Sequence, residues 1–370
     1  MKFLLSFLFI NIFLYNNLFI KTAFQTSIFC EINSKKEGDN IIVSPLSIFQ
    51  VLGLTTNGAV GETQSEMVST LEESSLDNLN NVNYKLMNLM KNFVSAELAN
   101  GVMSTFDPIK SFVKICDKYE APLEKLISKN QVNKWCSDKT HGKINEIIDE
   151  LDPSIVMLLL NAVYFRGEWN KPFNPERTYN GIFYNNGKEE KKVEIMSQTN
   201  TFMFYQDKEI QAIELPYKND SMSAIIILPN KDVDLNTFIN ENNLNDELIN
   251  KILEGMNEIP VKVNMPKFEI EFYMKLKEIL MKLGMVKAFG GEADFSGING
   301  EGGISINDVI HKTYLKVDEI GSEAAGVTIV DIRSIAQEEM NINRPFILII
   351  KSEELPKNND FLFIAKIENI

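Results

Sequence analysis

Residues 319–336 read EIGSEAAGVTIVDIRSIA, and the alternation in that run governs how the rest of the chain is read. Every second position from Ser322 gives Ser322, Ala324, Gly326, Thr328, Val330, Ile332 and Ser334, none of them charged. Glu323, Asp331 and Arg333 all fall on the other parity. Successive side chains of an extended chain point to opposite faces, so one face of this segment can be buried without burying an ion. Glu319 is followed by Gly321 and then by the small residues Ser322, Ala324, Ala325 and Gly326, with Glu323 on the outward parity. A stretch that slim can enter a narrow gap between existing strands. The segment reads as a strand that has no sheet.

Outward from it, helical and extended patterns intermingle. Phe24, Ile28, Phe29 and Ile32 have helical spacing. Ser44-Pro45-Leu46-Ser47 opens a helix with proline in its first turn, where the missing N–H costs nothing. Residues 65–71 resume a helical pattern. Residues 155–164 (IVMLLLNAVY) form an almost continuous apolar run, the mark of a strand buried on both faces. Residues 212–216, 223–228 and 261–265 also read as strands, and 272–283 place apolar positions at helical spacing before Gly284. Strands at 346–350 and 361–367, with a polar turn containing Pro356 between them, close the chain. No internal repeat or low-complexity linker interrupts it. The class is α+β.

Composition narrows the function. With 44% apolar residues among 370, the chain can bury a large core. A net charge of −14 argues against nucleic acid and against anionic membrane surfaces. Cys30, Cys116 and Cys136 are an odd number at scattered spacing, so neither a disulfide framework nor a metal motif follows. His141 and His311 form no H-x-x-x-H pair, and no metal or other cofactor is expected. No G-x-S-x-G elbow, P-loop or paired-carboxylate motif points to an enzyme. Residues 1–21 begin MKFLLSFLFINIFLY, a charged start followed by an apolar run, which predicts a signal peptide and secretion. The alternative is an uncleaved apolar extension of the first helix in a cytoplasmic protein. A lone sequon stands at Asn219.

Nine motifs follow one another along the chain: NIIVSPLSI at 40–48, GAVGET at 58–63, VNKW at 132–135, NAVYFRGEW at 161–169, ELPY at 214–217, MPKF at 265–268, ADFSG at 293–297, VIHK at 309–312 and NRPF at 343–346; in order and spacing they resemble those of the serpins, the serine protease inhibitors. The segment at 319–336 likewise resembles that family's hinge and reactive loop. This resemblance, running from Phe24 to Ile367, implies the serpin fold: one domain over 22–370, about eight or nine helices around three β-sheets, and an exposed reactive loop at about 319–342. Ile320, Val327 and Ala365 depart from the family's usual residues. Ile320 and Ala365 should be tolerated, and Val327 lies on the outward parity.

Suicide inhibition is the function the resemblance implies. A serine protease attacks the loop as substrate and forms an acyl-enzyme. The freed hinge then inserts into the central sheet, the family's known form of strand addition. A strand of about 16 residues at roughly 3.3 Å each spans about 50 Å, the width of a protease. About twenty new ladder hydrogen bonds at ~1 kcal/mol net each give on the order of 20 kcal/mol. That exceeds the roughly 5–15 kcal/mol holding a protease domain folded. Counting as in inhibitory members, Glu319 is the seventeenth residue before the cut (319 through 335), which puts the reactive bond between Ile335 and Ala336. An elastase-like target follows. The rival bond, between Arg333 and Ser334, suits a trypsin-like protease and shortens the moving strand; a chymotrypsin-like target also remains open.

The resemblance further assigns control of sheet opening to Ser44, Ser47, Asn161 and His311, a hydrogen-bonded cluster beneath the central strands. It pairs Lys267 with Glu319 at the top of the sheet, with Trp169 packed nearby. Residues 81–97, where some serpins carry a heparin-binding helix, hold only Lys85 and Lys91 as cations, so heparin activation is not expected. The expected species is a monomer with a tendency to polymerise through its loop. The alternative function is a non-inhibitory serpin acting as carrier, chaperone or protease substrate.

Overall fold

Apolar periodicity sets the elements, and pairing between distant segments sets their arrangement. A computed structural model describes residues 23–370 except 94–95, 122, 154, 219–220, 242–243 and 323–337. Outside the described residues therefore lie the leader at 1–21, Asn219, the hinge residues Glu323, Ala324, Ala325 and Gly326, and the bonds joining Ile335 to Ala336 and Arg333 to Ser334.

Among the described residues there are ten α-helices: α1 Phe24–Asn33, α2 Pro45–Thr56, α3 Gly61–Thr70, α4 Leu76–Met90, α5 Lys110–Lys118, α6 Lys129–Lys139, α7 Leu235–Glu241, α8 Asp246–Glu254, α9 Lys277–Lys282 and α10 Ser296–Asn299. The first eight strands are β1 Ile41–Val43, β2 Ala96–Ser104, β3 Leu123–Lys125, β4 Met157–Phe165, β5 Gly167–Glu168, β6 Tyr179–Asn185, β7 Glu189–Gln206 and β8 Ile210–Pro216. The remaining eight are β9 Met222–Pro229, β10 Asn257–Pro266, β11 Phe268–Lys275, β12 Val309–Val317, β13 Gly321–Ser322, β14 Glu338–Asn341, β15 Phe346–Ser352 and β16 Phe361–Ile367.

A five-stranded sheet has the order β11-β12-β4-β2-β3. A nine-stranded sheet runs β1-β16-β15-β9-β8-β7-β10-β14, with β6 on β7, and β13 pairs β5 in a two-stranded ladder. Helix α2 is buried at every position and touches β2 and β4 of one large sheet and β16 of the other. Strand β4 is likewise buried along its whole length, as its unbroken apolar run predicts. Ala365 is fully buried in β16 between Ile42 and Leu348, so the methyl group at this departure from the family pattern is accommodated.

One expected element divides. Helical spacing over 272–283 predicts a helix, yet Phe272 to Lys275 belong to β11 and only Lys277–Lys282 is helical. Phe268, Ile270 and Phe272 alternate inward along β11, and pairing with β12 decides in favour of the two-residue period.

Candidate functional site

Strands β4 and β12 run parallel, from Val309 beside Leu159 to Tyr314 beside Tyr164. Beyond Tyr314, residues Leu315, Lys316 and Val317 pair with Ile270, Glu269 and Phe268 of β11, while their ladder with β4 has ended. The seam between β4 and β12 is thus open at the end where the chain leaves β12.

Over that opening the chain folds into a tight turn. The Asp318 carboxylate accepts from the N–H groups of Ile320 (3.0 Å) and Gly321 (3.3 Å), and the Asp318 N–H donates to the Gly321 carbonyl at 2.8 Å. Gly321 then lies beside Glu168 and Ser322 beside Gly167 in the β13–β5 ladder. A Cβ on Gly321 would run into the carbonyl oxygen of Gly167, so glycine is required there by close backbone approach. On the other strand, a Cβ on Gly167 would strike the rings of Tyr217 and Phe165 at 2.6 and 2.9 Å. Trp169 fastens the turn twice: its backbone N–H donates to the Ile320 carbonyl (2.8 Å) and its indole N–H to the Asp318 carbonyl (3.0 Å). The indole stacks on Tyr217 with ring centres 4.6 Å apart.

Glu319 is 8% exposed. Its carboxylate accepts from the Thr178 hydroxyl at 2.7 Å and lies 3.3 Å from the Lys267 ammonium, which also sits 3.3 Å from Glu194. Burial by itself would raise the Glu319 carboxyl; the Thr178 hydroxyl, a backbone N–H and the Lys267 charge outweigh it and hold the group below the usual carboxylate range. Burial would likewise lower Lys267, but its two carboxylates raise it. Both partners therefore stay charged at neutral pH.

Further down the same seam, a row of polar side chains crosses the sheet. His311 and Asn161 are register partners on β12 and β4, and Asn161 and Asn100 are partners on β4 and β2. The Ser44 backbone N–H donates to His311 Nε2 at 3.2 Å, so Nε2 carries the lone pair and Nδ1 the proton. Nδ1–H in turn donates to Asn161 Oδ1 at 2.7 Å. The Asn161 amide donates to the Ser47 hydroxyl and to Asn100 Oδ1 (2.8 Å), and Asn100 Nδ2 reaches Gln50 Oε1 at 3.3 Å. His311 is fully buried, and burial pushes its pKa down to about 3. It is a neutral hydrogen-bonder.

The structure brings together Ser47, Asn161 and His311 in one cluster and Trp169, Lys267 and Glu319 in another. Ser44 joins the first through its backbone alone; its buried hydroxyl has no partner among the described residues. Sequence reasoning missed Thr178, Glu194, Asp318, Asn100 and Gln50. Asn100 left a trace, being a polar residue in the mostly apolar stretch AELANGVM at 96–103; the others sit in segments with no signal of their own. Cys30, Cys116 and Cys136 are free thiols, and burial pushes each up to about 12, which leaves no reactive thiolate at neutral pH.

A family model described as "Serpin (serine protease inhibitor)" matches residues 20–370. The intracellular coagulation inhibitor 2 of Tachypleus tridentatus is 37% identical over 338 residues, covering 85% of this chain and 82% of that protein. A leukocyte elastase inhibitor of Xenopus laevis is 34% identical over 354 residues, covering 89% and 94%. Among solved structures, the thermophilic serpin tengpin in its native state is similar with a TM-score of 0.85 at 30% identity, covering 94% of this chain and 92% of that one.

Proposed function

Because this chain belongs to the serpin family, we propose that it is a suicide-substrate inhibitor of serine endopeptidases. The protease's serine oxygen attacks the carbonyl carbon of Ile335, or of Arg333 in the rival register. An ester forms, the following peptide C–N bond breaks, and the amine of Ala336 or Ser334 leaves with a proton. The segment starting at Ser322 then enters the seam between β4 and β12 and draws the acylated protease along. Glu319, Gly321 and Trp169 hold the hinge at the mouth of the seam, and Ser47, Asn161 and His311 govern how readily it parts.

The observation that carries this reading is the half-closed parallel seam with its hinge docked at the open end. A chain turning back from the top of β12 runs antiparallel to β12, and hence antiparallel to β4 as well. One parallel pairing would become two antiparallel ones, the slightly stronger kind.

Brief incubation with elastase-like, trypsin-like and chymotrypsin-like serine proteases should give an SDS-stable complex with at least one of them. Mass spectrometry of the released C-terminal fragment should then begin at Ala336, or at Ser334 for the rival bond. Cleavage of the loop by every protease without any covalent complex would sink inhibition and favour a carrier, chaperone or substrate role. For location, the apolar leader supports secretion, while the Tachypleus relative is by name intracellular. Sequencing the mature N-terminus after expression in eukaryotic cells separates the two.

A further inference from the structure

Beside the edge strand β14, between the start of β8 and the turn after β9, lies a cavity of about 360 Å³. Its size is within the roughly 300–1,000 Å³ typical of small-ligand sites. Arg344 on its wall is half-buried. The guanidinium Nε donates to the Pro229 carbonyl (2.8 Å), and Nη1 reaches Asn343 Oδ1 (3.2 Å) and the Asn341 carbonyl (3.4 Å). All three acceptors are neutral, and among the described residues no carboxylate pairs with this cation and nothing accepts from its Nη2. Burial pulls its pKa down, as for a charge short of compensation. Lys231, exposed on the same cavity, likewise has no carboxylate partner among the described residues. Because Asn343 Oδ1 already accepts from Arg344, the Asn343 amide offers the cavity its N–H groups. The carboxylate on this wall, Glu339, is engaged elsewhere, by Lys262 at 2.8 Å and the Asn264 amide at 2.9 Å.

We propose that this cavity is a binding site for a small tetrahedral oxyanion of the phosphate class. In a molecule of net charge −14, two cations without counter-charges on one cavity select an anion. The donors come from two segments, Lys231 after β9 and Asn343 with Arg344 after β14. A tetrahedral ion offers oxygens in several directions at once, whereas a carboxylate offers two in one plane. Arg344 supplies a planar fork and Lys231 a point charge, both common phosphate binders. The wall also keeps an acceptor: Asn230 Nδ2 donates to the Asp207 carbonyl at 3.3 Å, which leaves Asn230 Oδ1 for the O–H of hydrogen phosphate. Sulfate has no such proton at neutral pH.

The position of the site gives it a consequence. Ile342 lies between Asn341 and Asn343, and its N–H donates to the Asn264 carbonyl at 2.8 Å, continuing the hold of β14 on β10. An anion that joins Arg344 and Asn343 to Lys231 fastens this end of β14 to the turn after β9, so it favours the docked strand over a frayed one. On the proposed inhibitory reading that strand is the C-terminal foot of the reactive loop; the binding itself does not rest on that reading.

Isothermal titration of the full chain with sodium phosphate at pH 7 and fixed ionic strength should give one saturable site. Lys231→Glu, an exposed change that breaks no contact among the described residues, should weaken it about tenfold or more, as loss of a charge-assisted contact does. Lys85→Glu, the same change of net charge on α4, should leave the affinity within about twofold, since exposed charges beyond about 10 Å are screened. Sulfate should bind several-fold more weakly than phosphate. Glycerol phosphate titrated alongside separates the two sources of the group: tighter binding of the ester assigns the site to phosphomonoesters, and tighter binding of phosphate to the free ion. The absence of saturable binding, equal loss in both lysine variants, or equal affinity for sulfate would overturn the site. Saturating phosphate should also slow amide exchange at Ile342 several-fold in the parent and not in Lys231→Glu. Saturable binding with unchanged exchange would overturn the fastening of β14. No protease enters these measurements, so a failure of inhibition would be separately visible.

Discussion

The imidazole of His311 accepts a hydrogen bond from the Ser44 backbone and donates one to Asn161, and only the neutral ring can do both. Its folded pKa of about 3 lies below the ordinary value of 6.5. Between those two values the unfolded chain takes up a proton that the folded one refuses. Stability is therefore lost as pH falls from 6.5 toward 3, at about 1.4 kcal/mol per pH unit for one proton. The midpoint of the first thermal transition should drop between pH 7 and pH 5 more steeply for the parent than for His311→Gln. Parallel curves for the two proteins would refute the assignment. Residues of this kind were partly legible in the sequence: Ser47, Asn161 and His311 stand in motifs whose order resembles the serpins. Gln50, Asn100 and Thr178 were not, because a hydrogen bond such as that of Thr178 to Glu319 joins residues 141 positions apart and leaves no local pattern.

Short elements carry the proposed hinge. The β13–β5 ladder is only two residues long, and it exists because Gly321 lets one backbone touch the other. Gly321→Val should prise the ladder apart and free the turn that Trp169 grips. Two lost bonds at ~1 kcal/mol net each imply amide exchange at Trp169 and Ile320 at least tenfold faster. Measured by mass spectrometry or NMR at fixed pH, unchanged protection at those amides would contradict the role given to the ladder. Longer elements were easier to read. The apolar run of β4, the proline-led start of α2 and the two closing strands all announced themselves through composition and period. The stretch at 272–283 did not, since Phe272, Leu276, Ile279 and Leu280 fit a helix while Phe268, Ile270 and Phe272 fit a strand. Only the partner strand β12 resolves that ambiguity.

For the molecule as a whole, the question is whether the intact form is its most stable arrangement. On the proposed mechanism it is not: loop insertion adds a strand between β4 and β12. If that insertion contributes on the order of 20 kcal/mol, it acts on an unfolding entropy of about 0.8 kcal/mol/K for a chain of 370 residues, and the midpoint rises by roughly 25 °C. Scanning calorimetry of the protein before and after a single cut in the loop measures this directly. Equal midpoints would mean that the cut segment gains nothing by entering the sheet.

By itself the sequence determined the fold class, most of the long elements and the small, charge-free parity of the segment after Glu319, because these follow from side-chain period and size within a few residues. Tertiary structure alone decided that β4 and β12 lie side by side, that their pairing stops at Tyr314, and that Thr178 joins Glu319 where it stops. The pairing of β4 with β12 and the contact of Thr178 with Glu319 join segments more than a hundred residues apart, and no local period encodes which distant partner a strand will choose.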